Sequence, residues 1–453
     1  MTFYHALQVD ENRCMGCSHC MSSCPTEAIR VRNGKAVIDE AKCIDCGNCF
    51  KVCRFRAIYI KQDDFESIFG FKCRVALLPS VFLGQFPQDI TVSRIYSILK
   101  ELGFTHIFET DAATSIFTMA KNAYIATHPD IKPLISSFCP AVVRLIQVRF
   151  PGLVENIMPI KAPIDIMAIY ARRQIKKLLS LDDDEIGIFY ITPCAAKIAA
   201  VKNPVGEEKS NVDGVINMDS LYNRVYKKIK EQGKNYQEVK LPIPQLSSDG
   251  VLTSLTNGER RLSNVPHSLS IDEIQNVTEF LEKVENDEIE DIDFLELRAC
   301  DQSCPGGILT CDNRFLICER MFARARKVAE RERNGIQTKE LQVAEDADYL
   351  LSHSSVSEVK PRSMMSLDDD FSKAMEKMNL MHEIQKKLPQ IDCGICGAPT
   401  CDAHAADVAC GKASLKNCIF IQRNLATKGE IDREEILKIM EEIWGKDIME
   451  YLK

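Results

Sequence analysis

The strongest constraint on what this chain can fold into is the placement of its thiols. Eight cysteines fall within the first 53 residues, in two runs reading CMGCSHCMSSCP and CIDCGNCFKVC. Each run has the spacing C-x2-C-x2-C-x3-C, in which three thiolates wrap one [4Fe–4S] cube and the fourth reaches the neighbouring cube. The ligand sets therefore cross over. Cys14, Cys17, Cys20 and Cys53 are expected to hold one cluster, and Cys43, Cys46, Cys49 and Cys24 the other. A pair of zinc sites is the alternative for such sets, although the repeat and Pro25 fit the iron–sulfur pattern. His19 reads as an exposed loop residue rather than a ligand. Between the runs, AIRVRNGKAVID predicts a hairpin with Asn33 and Gly34 at its turn.

The segment formed by these elements, residues 1–65, resembles a bacterial two-cluster ferredoxin of α+β type. The rest of the chain sets the frame. At 453 residues the length suggests roughly three domains of ~150 residues each. A net charge of −8, with basic and acidic residues interleaved, argues against nucleic acid as a partner. The N-terminus lacks the features of a signal peptide, and no run approaches the ~18 apolar residues of a membrane span. A soluble, cytoplasmic protein without membrane association is expected, and in a reducing compartment twenty cysteines mean metal more often than disulfides.

A second group of thiols lies near the other end. DCGICGAPTC followed by LKNC supplies Cys393, Cys396, Cys401 and Cys418, spaced C-x2-C-x4-C-x16-C, a donor set for a further [4Fe–4S] cluster with structural zinc as the alternative. It resembles the small cluster module appended to several bacterial electron-transfer and sensor proteins. Residues 336–370 are polar and without apolar period, which predicts a linker, and 371–453 then form the C-terminal module with its flanking helices. In that module Met375, Met378, Leu380 and Met381 are expected to pack as core, and Leu437, Met440, Ile443 and Trp444 to form one face of a last helix.

The intervening stretch reads as α/β. CRVALLPSVFL, FTHIFE, KPLISSF, EIGIFYITP and DFLELRA are strand-like, alternating with helical patterns such as SRIYSILKELG and LYNRVYKKIKEQG. Cys139, Cys194 and the pair Cys300 and Cys304 follow three of these strands, and in α/β folds loops at strand ends converge on a site. One ligand set made of these four cysteines is expected. For Cys73, Cys311, Cys318 and Cys410 the expected role is that of buried apolar thiols, with Cys311 and Cys318 on one helix face. A ligand swap involving Cys410 stays open.

SSFCPAVV, TPCAAK and ELRACDQSCPGG, in that order, resemble the three signature segments of the catalytic domain of [FeFe]-hydrogenases, and LTCDNRF resembles the opening of that family's next helix. The resemblance covers residues 1 to about 330 and implies a two-lobed α/β catalytic domain over 70–335. It implies an H-cluster: a [4Fe–4S] cube on Cys139, Cys194, Cys300 and Cys304, with Cys304 bridging to a diiron subcluster that carries CO, cyanide and a dithiolate amine. Lys197 matches the lysine that hydrogen-bonds an iron-bound cyanide, and Gly306 and Gly307 would let backbone approach the diiron unit. Three accessory [4Fe–4S] clusters complete the implied inventory.

The departures matter as much. The family has a proton-relaying cysteine immediately before the first cube ligand, and here that position is Phe138, which cannot carry a proton. The stretch SIFTMAKNAYIATHP lacks the acids that continue the relay, and Thr192 and Arg298 replace methionines, while Glu296 keeps the acid two residues before Arg298. The resemblance thus implies H2 + 2 oxidised ferredoxin ⇌ 2 reduced ferredoxin + 2 H+, turned over slowly. The proton/H2 couple near about −410 mV at pH 7 and ferredoxin clusters near about −400 mV are matched for it. Implied partners are ferredoxin or another redox protein, the diiron maturation machinery and, in the alternative of an H2 or redox sensor, a signalling partner at the C-terminal module. A noncatalytic iron–sulfur assembly relative without a diiron unit is the third reading.

Overall fold

In the computed structural model, residues 4–233, 246–334, 345–362, 367–368 and 370–446 are described. The chain divides into two compact units, Met1–Lys61 with Arg362–Lys453, and Gln62–Pro361.

In the first unit, β1 (Leu7–Val9) pairs antiparallel with β4 (Ile58–Ile60), and β2 (Ile29–Arg32) with β3 (Lys35–Ile38). Asn33 and Gly34 between β2 and β3 both have positive φ, 48° and 72°, which is what a two-residue turn matching strand twist requires. Two short helices, His19–Ser22 and Asn48–Val52, carry the third cysteine of each run.

The C-terminal residues belong to this same unit. The helices Phe371–Gln385, Cys401–Ala409, Ile419–Thr427 and Arg433–Trp444 surround the third cysteine group. Among the described strands β2 pairs with β3 alone, and the C-terminal segment covers its other edge. The N–H of Val31 donates to Gly397 O (3.0 Å), while Asn33 and Gly34 donate to Glu442 O (2.8 Å) and Ile443 O (3.0 Å). A Cβ on Gly397 would lie 2.4 Å from Val31 O, so only glycine permits this approach. Asp407 accepts from Arg30 and Arg32 across the same seam.

Helix faces in this region differ from the sequence expectation. Met381 joins Ile384 and Leu388 in the core, but Met375 and Leu380 are exposed, because only the stripe facing Cys401–Ala409 is covered. In the last helix Ile439 and Ile443 are buried and Leu437 is exposed. The Trp444 indole N–H donates to Ile395 O (3.0 Å), and that anchor fixes the rotation of the helix.

The second unit contains two parallel sheets. β6 (His106–Glu109), β5 (Cys73–Leu78), β8 (Ile186–Thr192) and β9 (Gly214–Asn217) lie side by side in that order. β10 (Ser268–Ile271), β11 (Phe294–Leu297) and β7 (Leu134–Ile135) form the other sheet. Every residue of β8, β9 and β11 is buried, as strands covered on both faces require. β9 and β10 escape a reading by periodicity because GVIN and SLSI are short and carry polar side chains. The region read as linker contributes to this unit: the Ala347–Ser352 helix buries Leu350, and Asp346 before it accepts from Arg173 Nε and Lys177 Nζ, both at 3.0 Å. Among the described residues no helix is long and apolar enough to cross a membrane.

Candidate functional site

In the second unit the site is assembled where β7, β8 and β11 end. Cys139 and Cys194 are the N-cap residues of the helices Pro140–Arg149 and Ala195–Lys202. A helix N-terminus is the positive end of the peptide dipoles, so an anionic group held by these two cysteines would be stabilised there. Cys300 and Cys304 share one turn after β11, closed by Ser303 N–H donating to Cys300 O (2.9 Å) and Gly306 N–H to Ser303 O (3.0 Å). The two glycines have a local physical reason. A Cβ on Gly306 would sit 1.8 Å from Asp301 O, and one on Gly307 would sit 2.5 Å from Pro193 O. Leu309 N–H donates to the same Pro193 O at 3.0 Å, which ties the Cys304 turn to the loop bearing Cys194.

Buried charge surrounds these thiols. Lys197 Nζ lies 3.8 Å from Cys304 Sγ. Burial alone would lower the Lys197 pKa, but Cys304, Tyr190, Cys194 and Cys139 together carry it above the ordinary lysine value. Burial, opposed by Lys197, pushes the Cys194 thiol up to about 11. Arg298 is also buried: its Nη2 donates to Glu259 Oε1 (2.7 Å), and Nε lies 3.5 Å from Glu296 Oε1. Glu296 Oε2 accepts from the N–H groups of Glu259 (3.1 Å) and Arg260 (2.8 Å). Glu259 Oε2 accepts from Ser136 Oγ (2.6 Å), and Glu259 O from Lys121 Nζ (2.8 Å). The Phe138 ring is sandwiched in this network, with Arg298 Cζ 3.5 Å and Lys197 Nζ 5.0 Å from its centroid. The position expected to lack a proton relay is thus occupied by a ring that packs on cations.

The donor sets fit iron–sulfur clusters. All twenty cysteines are free thiols. Cys14, Cys17, Cys20 and Cys53 line one small cavity, and Cys24, Cys43, Cys46 and Cys49 another. Burial and then the neighbouring cysteines push the Cys20 thiol up to about 12; burial, chiefly, and Cys24 do the same to Cys46. Such crowded, desolvated thiols become thiolates once a metal supplies the counter-charge. Backbone N–H groups of Ala36, Ala28 and Ala57 already donate to the sulfurs of Cys14 (3.3 Å), Cys24 (3.2 Å) and Cys53 (3.2 Å), contacts that tune cluster potentials. Cys396 is likewise raised to about 11, by burial first and then by Cys393, Cys418 and Cys401, which gathers the third set. In the second unit, Arg298 Nη1 is buried without a hydrogen-bond partner, a donor suited to an anionic group near Cys139 and Cys304.

Residues 73–260 match the family model of the iron-only hydrogenase large subunit, C-terminal domain, residues 6–54 a 4Fe-4S dicluster domain, and residues 388–420 an Fe–S cluster model. Residues 73–260 are thus similar to the catalytic domain of iron-only hydrogenases. The chain's cofactors include iron–sulfur clusters. The chain is 24% identical over 236 residues to iron hydrogenase 1 of Clostridium pasteurianum, covering 49% of this chain and 39% of that protein. It is 29% identical over 212 residues to the periplasmic [Fe] hydrogenase large subunit of Nitratidesulfovibrio vulgaris, covering 43% and 50%. The chain spans half or less of the length of these curated relatives. A solved [FeFe]-hydrogenase HydA1 from Chlamydomonas reinhardtii aligns over 64% of this chain and 94% of that one, at 14% identity and a TM-score of 0.49.

Other thiols stand apart. Cys311 precedes the Arg314–Arg333 helix rather than sharing a face with Cys318, because Asn313 caps the helix start and the Cys311 N–H is held by Gln85 Oε1 (2.6 Å). Cys410 Sγ lies 3.9 Å from Leu367 O, and Cys73 Sγ lies 3.3 Å from His106 Nδ1. His19 is exposed at the first residue of its helix. Sequence reasoning missed two groups beside the site. Glu259 sits in a loop with no period to mark it. Lys161 and Asp165 could have been found, since they are the charged residues of the otherwise apolar stretch IMPIKAPIDIMAIYA.

Proposed function

We propose that the chain interconverts H2 with protons and electrons at a diiron H-cluster, electrons passing between it and a ferredoxin-type partner through [4Fe–4S] clusters. The observation that carries this reading is the convergence of Cys139, Cys194 and Cys304 on buried Lys197, beside a cavity lined by Phe138 and Lys197. On this reading Cys139, Cys194, Cys300 and Cys304 would hold the cube, with Cys304 the one of the four that would adjoin the diiron unit. When bound, that unit supplies the site at which H2 is formed or split. Lys197 would offer a compact cation to its anionic ligands, and Arg298 is a second buried cation, stacked on the Phe138 ring. The sets Cys14, Cys17, Cys20, Cys53 and Cys43, Cys46, Cys49, Cys24 form the entry wire, and Cys393, Cys396, Cys401 and Cys418 a third accessory cluster. Glu296, committed to two backbone N–H groups, is a positioning residue for the Glu259 loop.

Phe138 supports a second reading, slow turnover serving H2 or redox sensing, in which the state of the clusters is passed to a partner through the C-terminal set. Anaerobic maturation followed by infrared spectroscopy and an H2-evolution assay with reduced ferredoxin tests both. CO and cyanide bands with steady turnover support the enzyme reading. Bands with turnover too slow for metabolism support the sensor. No bands would refute the diiron assignment.

A further inference from the structure

The cavity that Phe138 and Lys197 line has other charged residues in its wall: Lys161, Asp165 and Glu207. The rest of its lining is predominantly apolar, including Val143, Ile160, Ile164, Val201 and Val359. Asp165 lies in the first turn of the Pro163–Leu179 helix, and Lys161 just precedes that helix. Lys161 Nζ pairs with Glu207, whose side chain is 22% exposed and so reaches water. The charged groups bearing on Asp165 are Lys161 and Lys197, the latter 3.8 Å from Cys304 Sγ. A line of titratable groups therefore runs from solvent at Glu207, through Lys161, to a carboxyl beside the lysine that contacts Cys304.

We propose that Asp165 is the proton-carrying group of this cavity, joined to solvent by Lys161 and Glu207, and that this line replaces the relay that Phe138 cannot provide. The inference rests on the diiron reading above. In the inward direction the Lys161 ammonium gives a proton to the Asp165 carboxylate, so one N–H bond breaks and one O–H bond forms. The neutral amine regains a proton from the Glu207 carboxyl, which is replenished by water, and no electrons move. The two inner groups are tuned toward each other. Burial lifts Asp165 to about 6 against the opposing pull of Lys161 and Lys197, and burial lowers Lys161 against the pull of Asp165, which makes transfer between them less uphill. The two buried acids beside Arg298 do not compete for this role. Glu259 and Glu296 are engaged by Arg298, Ser136 and backbone N–H groups and are absent from the cavity wall.

The test uses the full chain carrying its clusters and the diiron unit, as wild type, Asp165→Asn, Asp165→Glu and Glu207→Gln. Infrared CO and cyanide bands give diiron occupancy, H2/D2O exchange per diiron unit gives proton delivery, and a pH-difference infrared spectrum recorded before diiron insertion follows the carboxyl stretch. Asp165→Asn should remove one titrating carboxyl band and slow exchange at least ~100-fold, within the range typical of positioned acid–base groups. Asp165→Glu should keep a titrating band and recover exchange to within ~10-fold, and Glu207→Gln should slow it ~10-fold. Exchange at the wild-type rate in Asp165→Asn, at equal occupancy, would overturn the relay alone, as would an unchanged carboxyl spectrum. Absence of CO and cyanide bands in the wild type would overturn the diiron reading and the relay with it.

Discussion

Replacing Asp407 by alanine should open the seam between the β2–β3 hairpin and the C-terminal segment without unfolding the second unit. The carboxylate accepts from Arg30 Nε at 2.7 Å, Arg30 Nη2 at 3.2 Å and Arg32 Nη2 at 2.8 Å. Its truncation leaves two guanidinium groups close together with no anion between them. Breaking a buried pair costs about 3–5 kcal/mol. Arg32 is 27% exposed, and both arginines keep carbonyl acceptors, among them Glu27 O, Ile29 O and Gly397 O, so a smaller loss of roughly 2–4 kcal/mol is expected. At 1.4 kcal/mol per tenfold this is a ~30- to ~1000-fold rise in local opening. Amide hydrogen exchange at Val31, Asn33 and Gly34 reads it directly, because their acceptors Gly397, Glu442 and Ile443 belong to the C-terminal segment. The β8 amides serve as an internal control. Exchange within ~3-fold of wild type at all three positions would refute the view that this carboxylate holds the seam.

Gly306→Ala should destabilise the second unit by more than the ~1 kcal/mol of an ordinary glycine change and disperse Cys300 from Cys304, since its Cβ would fall 1.8 Å from Asp301 O; thermal unfolding and cube content check this. On the proposed ligand sets the chain should bind about 16 iron atoms before the diiron unit is added, falling to about 12 in Cys396→Ser and staying at about 16 in Cys410→Ser. Stoichiometric zinc at the C-terminal set would refute that assignment. Phe138→Cys should raise H2 turnover per diiron unit modestly while costing about 3 kcal/mol in stability, because a ring packed on Arg298 and Phe117 is lost. Unchanged turnover at verified occupancy would show that protons are not limiting. Asp165 has a folded pKa raised to about 6 from the ordinary aspartate value of 3.8, so the folded state binds its proton more tightly. That stabilisation is full below pH 3.8 and is lost as pH rises through 6, so Asp165→Asn should be more stable above pH 6, by up to about 3 kcal/mol, in pH-dependent unfolding.

The thiol spacings alone determined a great deal. The repeated C-x2-C-x2-C-x3-C spacing pairs the fourth cysteine of one run with the first three of the other, so the meeting of Cys53 with Cys14, Cys17 and Cys20 around one cavity was legible before any fold was known. The α/β character and the strand-end placement of Cys139, Cys194 and Cys304 were legible for a similar reason, because buried parallel strands write apolar runs such as IGIFYIT. What only the tertiary structure decided depends on contacts between residues far apart in the chain. No local pattern tells that Asp407 meets Arg30, or that the C-terminal segment caps the free edge of β2. The glycine pair at 306 and 307 looked like an approach to a cofactor, and the carbonyls of Asp301 and Pro193 turn out to demand it locally. Arg298, Glu259 and Glu296 form a buried charge network around Phe138 because β11 and the loop near residue 259 fold against each other. Burial is a property of the folded chain, and so the charges in the cavity wall, Asp165 among them, acquire their chemistry only there.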